Sequence, residues 1–167
     1  MYNKNFELFR KTKMDFQKNI NKLKAAREVI LSSIDGLNSD QLLNIPIGFN
    51  NNILWNLGHI ITTQQSLHYF LSGEPMHISK ELLTTFRTGT SPADWQETPN
   101  ISQLKSLLID LPYKLEEDFK GGKFQKYRAF KTSTGFTIND FEESLIFNLF
   151  HEGVHAGIIL SLKKIID

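Results

Sequence analysis

His151 and His155 stand four residues apart in the run Phe147-Asn148-Leu149-Phe150-His151-Glu152-Gly153-Val154-His155-Ala156-Gly157-Ile158. On an α-helix a four-residue step returns to the same face, about 40° round and one turn along. Two imidazoles so placed can share one metal ion through neutral ring nitrogens. A third ligand must come from elsewhere, and His59 lies in a second apolar stretch of helical period, residues 52–71. A lone histidine on such a face is more often a hydrogen-bonded core residue. Three are costly to bury separately, because each ring needs polar partners, whereas one divalent ion satisfies three ring nitrogens together. Each remaining ring N–H then needs a carbonyl or carboxylate. The pattern predicts a helical bundle around a three-histidine metal site, His59, His151 and His155, with an open coordination position.

Steps of about 100° per residue put Asn52, Trp55, Thr63, Ser66 and Phe70 on the His59 face. The same count puts Ser144, Asn148, Ile158 and Leu162 on the face of His151 and His155. If the faces meet at an ion, Asn52, Trp55 and Asn148 are the expected substrate contacts, Trp55 as an apolar wall and the two amides as polar anchors. Glu152, about 100° from His151, is the candidate general base, with an ion pair or a hydrogen bond at the pocket rim as its structural alternative. His151 to His155 also spells H-E-x-x-H, the zinc-protease pattern. Those enzymes take a third ligand further downstream, and the twelve residues after His155 hold no His or Glu, so that reading is set aside. Gly153 and Gly157 are expected to let their helix pack closely on a neighbour. His68, nine residues beyond His59, is placed on the opposite side of its helix and expected at the surface or an interface. His77, in the loop after Pro75, is given no site role.

The elements that must position these groups follow from apolar periodicity. Phe6, Phe9, Phe16, Ile20, Leu23, Ile30, Ile34 and Leu37 predict a first long helix over residues 5–35, stopped by Gly36. Lys13 and Arg27 fall on its apolar stripe and are expected to snorkel at the edge. Ser39 to Leu42 predicts one short turn. A second helix spans 51–71, with the cluster Asn50-Asn51-Asn52 as cap candidates. A short helix spans 79–87. A third long helix covers 101–120, capped by Ser102, with Pro112 inside it expected to kink it or break one backbone bond. Residues 123–136 read as an irregular connection crossing the bundle, and a last helix covers 139–165 behind the cap Asn139-Asp140.

The chain has 167 residues, which suits a single domain over residues 1–167 with an independent core. A formal net charge of +1 offers no case for nucleic acid; the lysines of the first helix (Lys11, Lys13, Lys18, Lys22, Lys24) read as a solvated face. With no cysteine, disulfides, thiolate ligands and a cysteine nucleophile are excluded, so any thiol must arrive as substrate. No signal peptide and no membrane span are read from the apolar runs, and a cytoplasmic location is expected.

Trp55-x-x-x-His59, Leu71-Ser72-Gly73, Gly89-x-Ser91-Pro92 and Lys131-Thr132-x-x-Gly135, leading into Phe150-His151-Glu152-Gly153-Val154-His155-Ala156-Gly157-Ile158, resemble the DinB-like superfamily, which includes YfiT-type metal-dependent hydrolases. The resemblance spans the second helix to the C-terminus. It implies an all-α four-helix bundle of up-down-down-up type with a long crossover, frequently a homodimer. It also implies a divalent ion, often nickel or zinc, on the positions of His59, His151 and His155. Similar proteins include thiol S-transferases using bacillithiol, mycothiol or glutathione and an isomerase of maleylpyruvate. The expected activity is therefore transfer of a small-molecule thiol to an electrophilic substrate. The alternatives are a hydrolase using metal-activated water and a non-enzymatic metal-binding stress protein.

Overall fold

Helix formation here begins with side-chain caps. Asp15, Asn38, Asn52, Ser79 and Asn100 each accept a hydrogen bond from a backbone N–H in the first turn of the helix that follows. Asp140 does the same for Glu143, whose carboxylate in turn accepts from the backbone of Asn139. The computed structural model describes residues 15–166. Their helices are α1 (Phe16–Ser33), α2 (Ser39–Leu43), α3 (Ile53–Gln65), α4 (Lys80–Phe86), α5 (Ile101–Lys120) and α6 (Phe141–Ile166). A π-helical turn, Ser66–Phe70, extends α3, and Pro92–Asp94 forms a 3-10 turn. Strands β1 (Phe130–Lys131) and β2 (Thr137–Ile138) pair antiparallel in a small hairpin. Residues 5–14 of the expected first helix, including Phe6, Phe9, Lys11 and Lys13, lie outside the described residues. Asn100, not Ser102, caps α5.

Side-chain contacts give the helix directions. Phe16 meets Phe141, Arg27 meets Glu152, and Lys163 Nζ donates to the Ser33 carbonyl, so α1 and α6 run parallel. Phe16 stacks on Phe119 while Arg27 reaches the Leu108 carbonyl, so α5 opposes α1. Asn56 meets His155 and His68 meets Phe141, so α3 opposes α6. The result is an up-down-down-up four-helix bundle. Residues 71–100, including α4, return along the bundle as the long crossover from α3 to α5. Residues 121–140 cross its end as the expected connection, with the hairpin added in its second half, and Arg128 N is pinned to the Leu71 carbonyl at 2.8 Å.

The core joins Ile30, Ile34, Ile53, Leu57, Ile60, Leu104, Leu108, Leu111, Ile159 and Leu162, with a second cluster around Phe16, Tyr69, Leu115 and Phe141. Arg27 does not snorkel. It is 1% exposed and forms a buried ion pair with Glu152, itself 0% exposed. Its Nε and Nη2 grip the carboxylate at 2.7–3.1 Å. Its Nη1 donates to the Leu108 carbonyl at 3.1 Å and its Nη2 also reaches the Ile60 carbonyl at 3.4 Å. Pro112 explains the free carbonyl. α5 runs on through it, but proline has no N–H for the carbonyl four residues earlier, and that carbonyl is Leu108.

Two further expectations are corrected. A Cβ built at Gly153 or Gly157 would meet nothing within 4 Å, and both glycines are exposed, so they mark an open face and not a close helix contact. Ile146, Phe150, Val154 and Leu160 are exposed on the same helix. Among the described helices α6 alone is long and apolar enough by length and composition to cross a membrane, although one side of it packs in the bundle core.

His68 is fully buried, not at the surface. The opposite side of α3 from His59 is also core, because the helix is covered nearly all round. Burial first, then the charge of Arg27, push the His68 pKa down to about 3 against the opposing pull of the Gln64 carbonyl. The folded pKa lies below the unfolded value of about 6.5. His68 therefore imposes no penalty above pH 6.5, and stability falls as pH drops from there toward 3, where only the unfolded chain takes up the proton. The metal-free protein should show a falling urea midpoint between pH 7 and 4. His68→Phe should lessen that slope by the share of one proton; an unchanged slope would overturn the assignment.

Candidate metal centre

α3 and α6 face each other antiparallel, which brings His59 level with the turn between His151 and His155. The ring centroids lie 5.1 Å apart for His59 and His151, 4.8 Å for His59 and His155, and 4.5 Å for His151 and His155. One ligand atom from each histidine lies within 4.8 Å of the others. His59 is buried, while His151 and His155 are half-buried, so the cluster is open on the α6 side.

Ring orientation is set by partners on the far nitrogens. His59 Nδ1–H donates to the Phe86 carbonyl at 2.8 Å, leaving Nε2 to face the other rings. His155 Nδ1–H donates to Asn56 Oδ1 at 2.7 Å, which likewise frees Nε2. The amide orientation of Asn56 follows from its other end, because its Nδ2 donates to the Asn52 carbonyl at 2.8 Å. His151 Nδ1 is buried with no partner. A buried ring nitrogen without a partner beside two oriented imidazoles fits a bound divalent ion, which prefers such neutral nitrogen donors.

Electrostatics keep the donors neutral. Burial lowers the His59 pKa despite the hydrogen bond to Phe86. His151 is pushed down to about 3 by burial and by the neighbouring charges of His155, His59 and Arg27. His155 is pushed down to about 4, again by burial first and then by His59.

The surrounding residues divide. Trp55 stacks on His59 with centroids 4.6 Å apart and planes 10° apart, and its Nε1 donates to Thr90 Oγ1 at 3.0 Å. It is an aromatic wall of the centre. The Thr63 hydroxyl lies 3.4 Å from His59 Nε2. Asn52 is spent as a cap: Oδ1 accepts from Trp55 N and Nδ2 donates to the Leu43 carbonyl. Ser66 Oγ donates to the Thr62 carbonyl and Ser144 Oγ to the Phe141 carbonyl, each within its own helix. Asn148 is fully buried, and its Nδ2 donates to Glu152 Oε1 at 3.1 Å, so its amide serves the ion pair and not the open side. Glu152 forms the ion pair given as its structural alternative, with Arg27, but in the core and not at the pocket rim.

Residue periodicity missed Asn56 and Phe86. Asn56 lies one residue from Trp55, off the chosen face, and Phe86 acts through its backbone. One signal for the second was present in Gly58. A Cβ there would sit 2.3–2.5 Å from the Phe86 ring, so only glycine lets α4 approach close enough to reach His59. Gly58→Ala must displace Phe86, with a destabilisation of about 1–3 kcal/mol. It should also loosen His59 and weaken metal binding, read by isothermal titration with zinc. Unchanged affinity would show that the α4 carbonyl does not hold the ligand.

A comparison with curated proteins finds no match to this chain. The family model of the DinB superfamily does match, over residues 22–159, a span holding Arg27, Asn56 and all three histidines; the chain belongs to the DinB superfamily.

Proposed function

We propose that the protein is a metal-dependent enzyme that transfers a low-molecular-weight thiol to an electrophilic carbon of a second substrate, with nickel or zinc on His59, His151 and His155. The observation that carries this reading is the set of three neutral imidazoles converging within 4.8 Å on a partly open surface. When bound, the ion supplies a Lewis-acidic position that favours the thiolate form of an incoming thiol. The chain has no cysteine of its own, so the thiol is a substrate.

The protein's residues provide position and shape. Phe86 and Asn56 orient two of the rings, and Trp55 walls one side with an aromatic face. Phe147 flanks His151, with ring centroids 6.2 Å apart. Glu152, the carboxylate next to His151, is held by Arg27 and Asn148 and is not offered to a water molecule as a general base. That removes the carboxylate a hydrolase would be expected to use as its general base. We also propose a cytoplasmic setting, where small thiols are kept reduced. Homodimerisation is supported by the exposed apolar face of α6, around Ile146, Phe150 and Val154, and sedimentation of the purified chain tests it.

Protein purified without a histidine tag and loaded with nickel or zinc should consume bacillithiol, mycothiol or glutathione in the presence of monochlorobimane. His59→Ala should lose both the metal and the turnover, because two imidazoles on one helix leave an ion under-coordinated. Full metal occupancy in His59→Ala would remove α3 as a ligand donor. Metal-dependent ester hydrolysis without thiol would replace the transferase reading with a hydrolase. Metal binding with neither activity would leave a metal-holding protein.

A further inference from the structure

The ligands are oriented by two different kinds of acceptor. His59 leans on a backbone carbonyl, that of Phe86, whereas His155 leans on the side-chain carbonyl of Asn56. Asn56 is almost wholly buried at 2% exposure, and both ends of its amide are engaged. Nδ2 is tied to the Asn52 carbonyl, and Asn52 is itself tied to Trp55 N and to the Leu43 carbonyl. An amide ladder thus runs from the end of α2 through the first turns of α3 to His155. It leaves Oδ1 of Asn56 no orientation except toward the imidazole.

The acceptor is also neutral. Metal-binding histidines are often backed by a carboxylate, which raises ring basicity and lowers the positive charge of the centre. The carboxylate nearest in sequence, Glu152, is matched by Arg27. With three neutral imidazoles, an amide and a carbonyl around it, a divalent ion here would keep its full charge.

We propose that Asn56 is a positioning residue for His155 and that its neutrality makes the centre select a small anionic ligand, a thiolate or an inorganic anion such as azide. This rests on the three-histidine reading above and adds to it which residue controls ligand charge. A residue that merely packs the α3–α6 contact would leave metal affinity unchanged when replaced by an apolar side chain of similar size.

The test uses cobalt(II) in the full chain, with visible absorption to follow metal binding against a competing chelator and then azide binding to the loaded protein. Asn56→Leu removes the acceptor and should weaken cobalt affinity about 10–100-fold, the range found when a metal-bound histidine loses its partner. Asn56→Asp keeps the shape and the acceptor toward His155, gives up the Nδ2 donor to the Asn52 carbonyl, and adds a charge once ionised, so azide is titrated at pH 8 and above. The variant should hold cobalt at least as tightly as the parent while binding azide about tenfold more weakly, the scale of one extra charge just beyond the ligand ring. Wild-type cobalt affinity in a folded Asn56→Leu protein overturns the positioning role. Wild-type azide affinity in Asn56→Asp overturns the charge role, and that variant decides should Asn56→Leu fail to fold by circular dichroism. If the parent protein takes up no cobalt, the three-histidine reading itself falls, a result distinct from either of these.

Discussion

One buried charge, the Arg27 guanidinium, touches all four long helices. It starts on α1, grips Glu152 of α6, and donates to carbonyls of Leu108 on α5 and Ile60 on α3. Such a pair is weak evidence for net stability, since desolvating two ions offsets most of their attraction. Removing either partner alone is different, because it leaves an uncompensated charge inside, at a cost of about 3–5 kcal/mol. The pair therefore acts mainly as a constraint on arrangement. Any slip or rotation of one helix breaks a bond that has no replacement in the core.

That constraint sets the direction of the three clustered histidines. Glu152 points into the bundle toward α1, and helical geometry then puts His151 about 100° and His155 about 60° away on one flank. α3 lies on that flank, and His59 meets them there. α3 is fixed in turn by its cap at Asn52 and by Phe86 seated over Gly58. The crossover from α3 to α5 thus contributes a carbonyl to the centre as well as a connection. Pro112 has a comparable double part, since the carbonyl it leaves free is one of those that receive Arg27.

Much of this was legible in residue spacing, and the failures have physical causes. Among the described residues periodicity matches every long helix, and the clustering of His59, His151 and His155 is legible because i, i+4 spacing is a local property of one helix and needs only one partner. Arg27 was misplaced because a single arginine on an apolar stripe usually reaches water, and its partner lies 125 residues away. A nine-residue step does set His68 opposite His59, but α3 is enclosed on both faces, so opposite does not mean outside. Gly153 and Gly157 misled because glycine on an apolar helix signals either close packing or an uncovered face, and spacing does not distinguish the two. Asn148 shares a face with His151, but a shared face sets only direction. Depth in the bundle put its amide beside Glu152.

The same depth separates the four histidines of the bundle core and its edge. His68 is enclosed, with neither ring nitrogen in a hydrogen bond of good geometry, and it stays neutral because burial, and then the Arg27 charge, penalise the protonated ring. His59, His151 and His155 sit closer to water, where burial alone would be a smaller penalty on the charged form. Their mutual proximity adds to it: His59 and His155 both disfavour a proton on His151, and His59 disfavours one on His155. Protons compete with metals for imidazole, so His151 and His155, which resist protonation down to about 3 and 4, and His59, whose pKa is also lowered, are already in the metal-binding form at neutral pH. Crowding three imidazoles would be unfavourable in a site meant to carry protons. In a site meant to carry a divalent ion, the crowding disfavours the competitor, and the partner hydrogen bonds to Phe86 and Asn56 limit the reorientation needed when the ion enters.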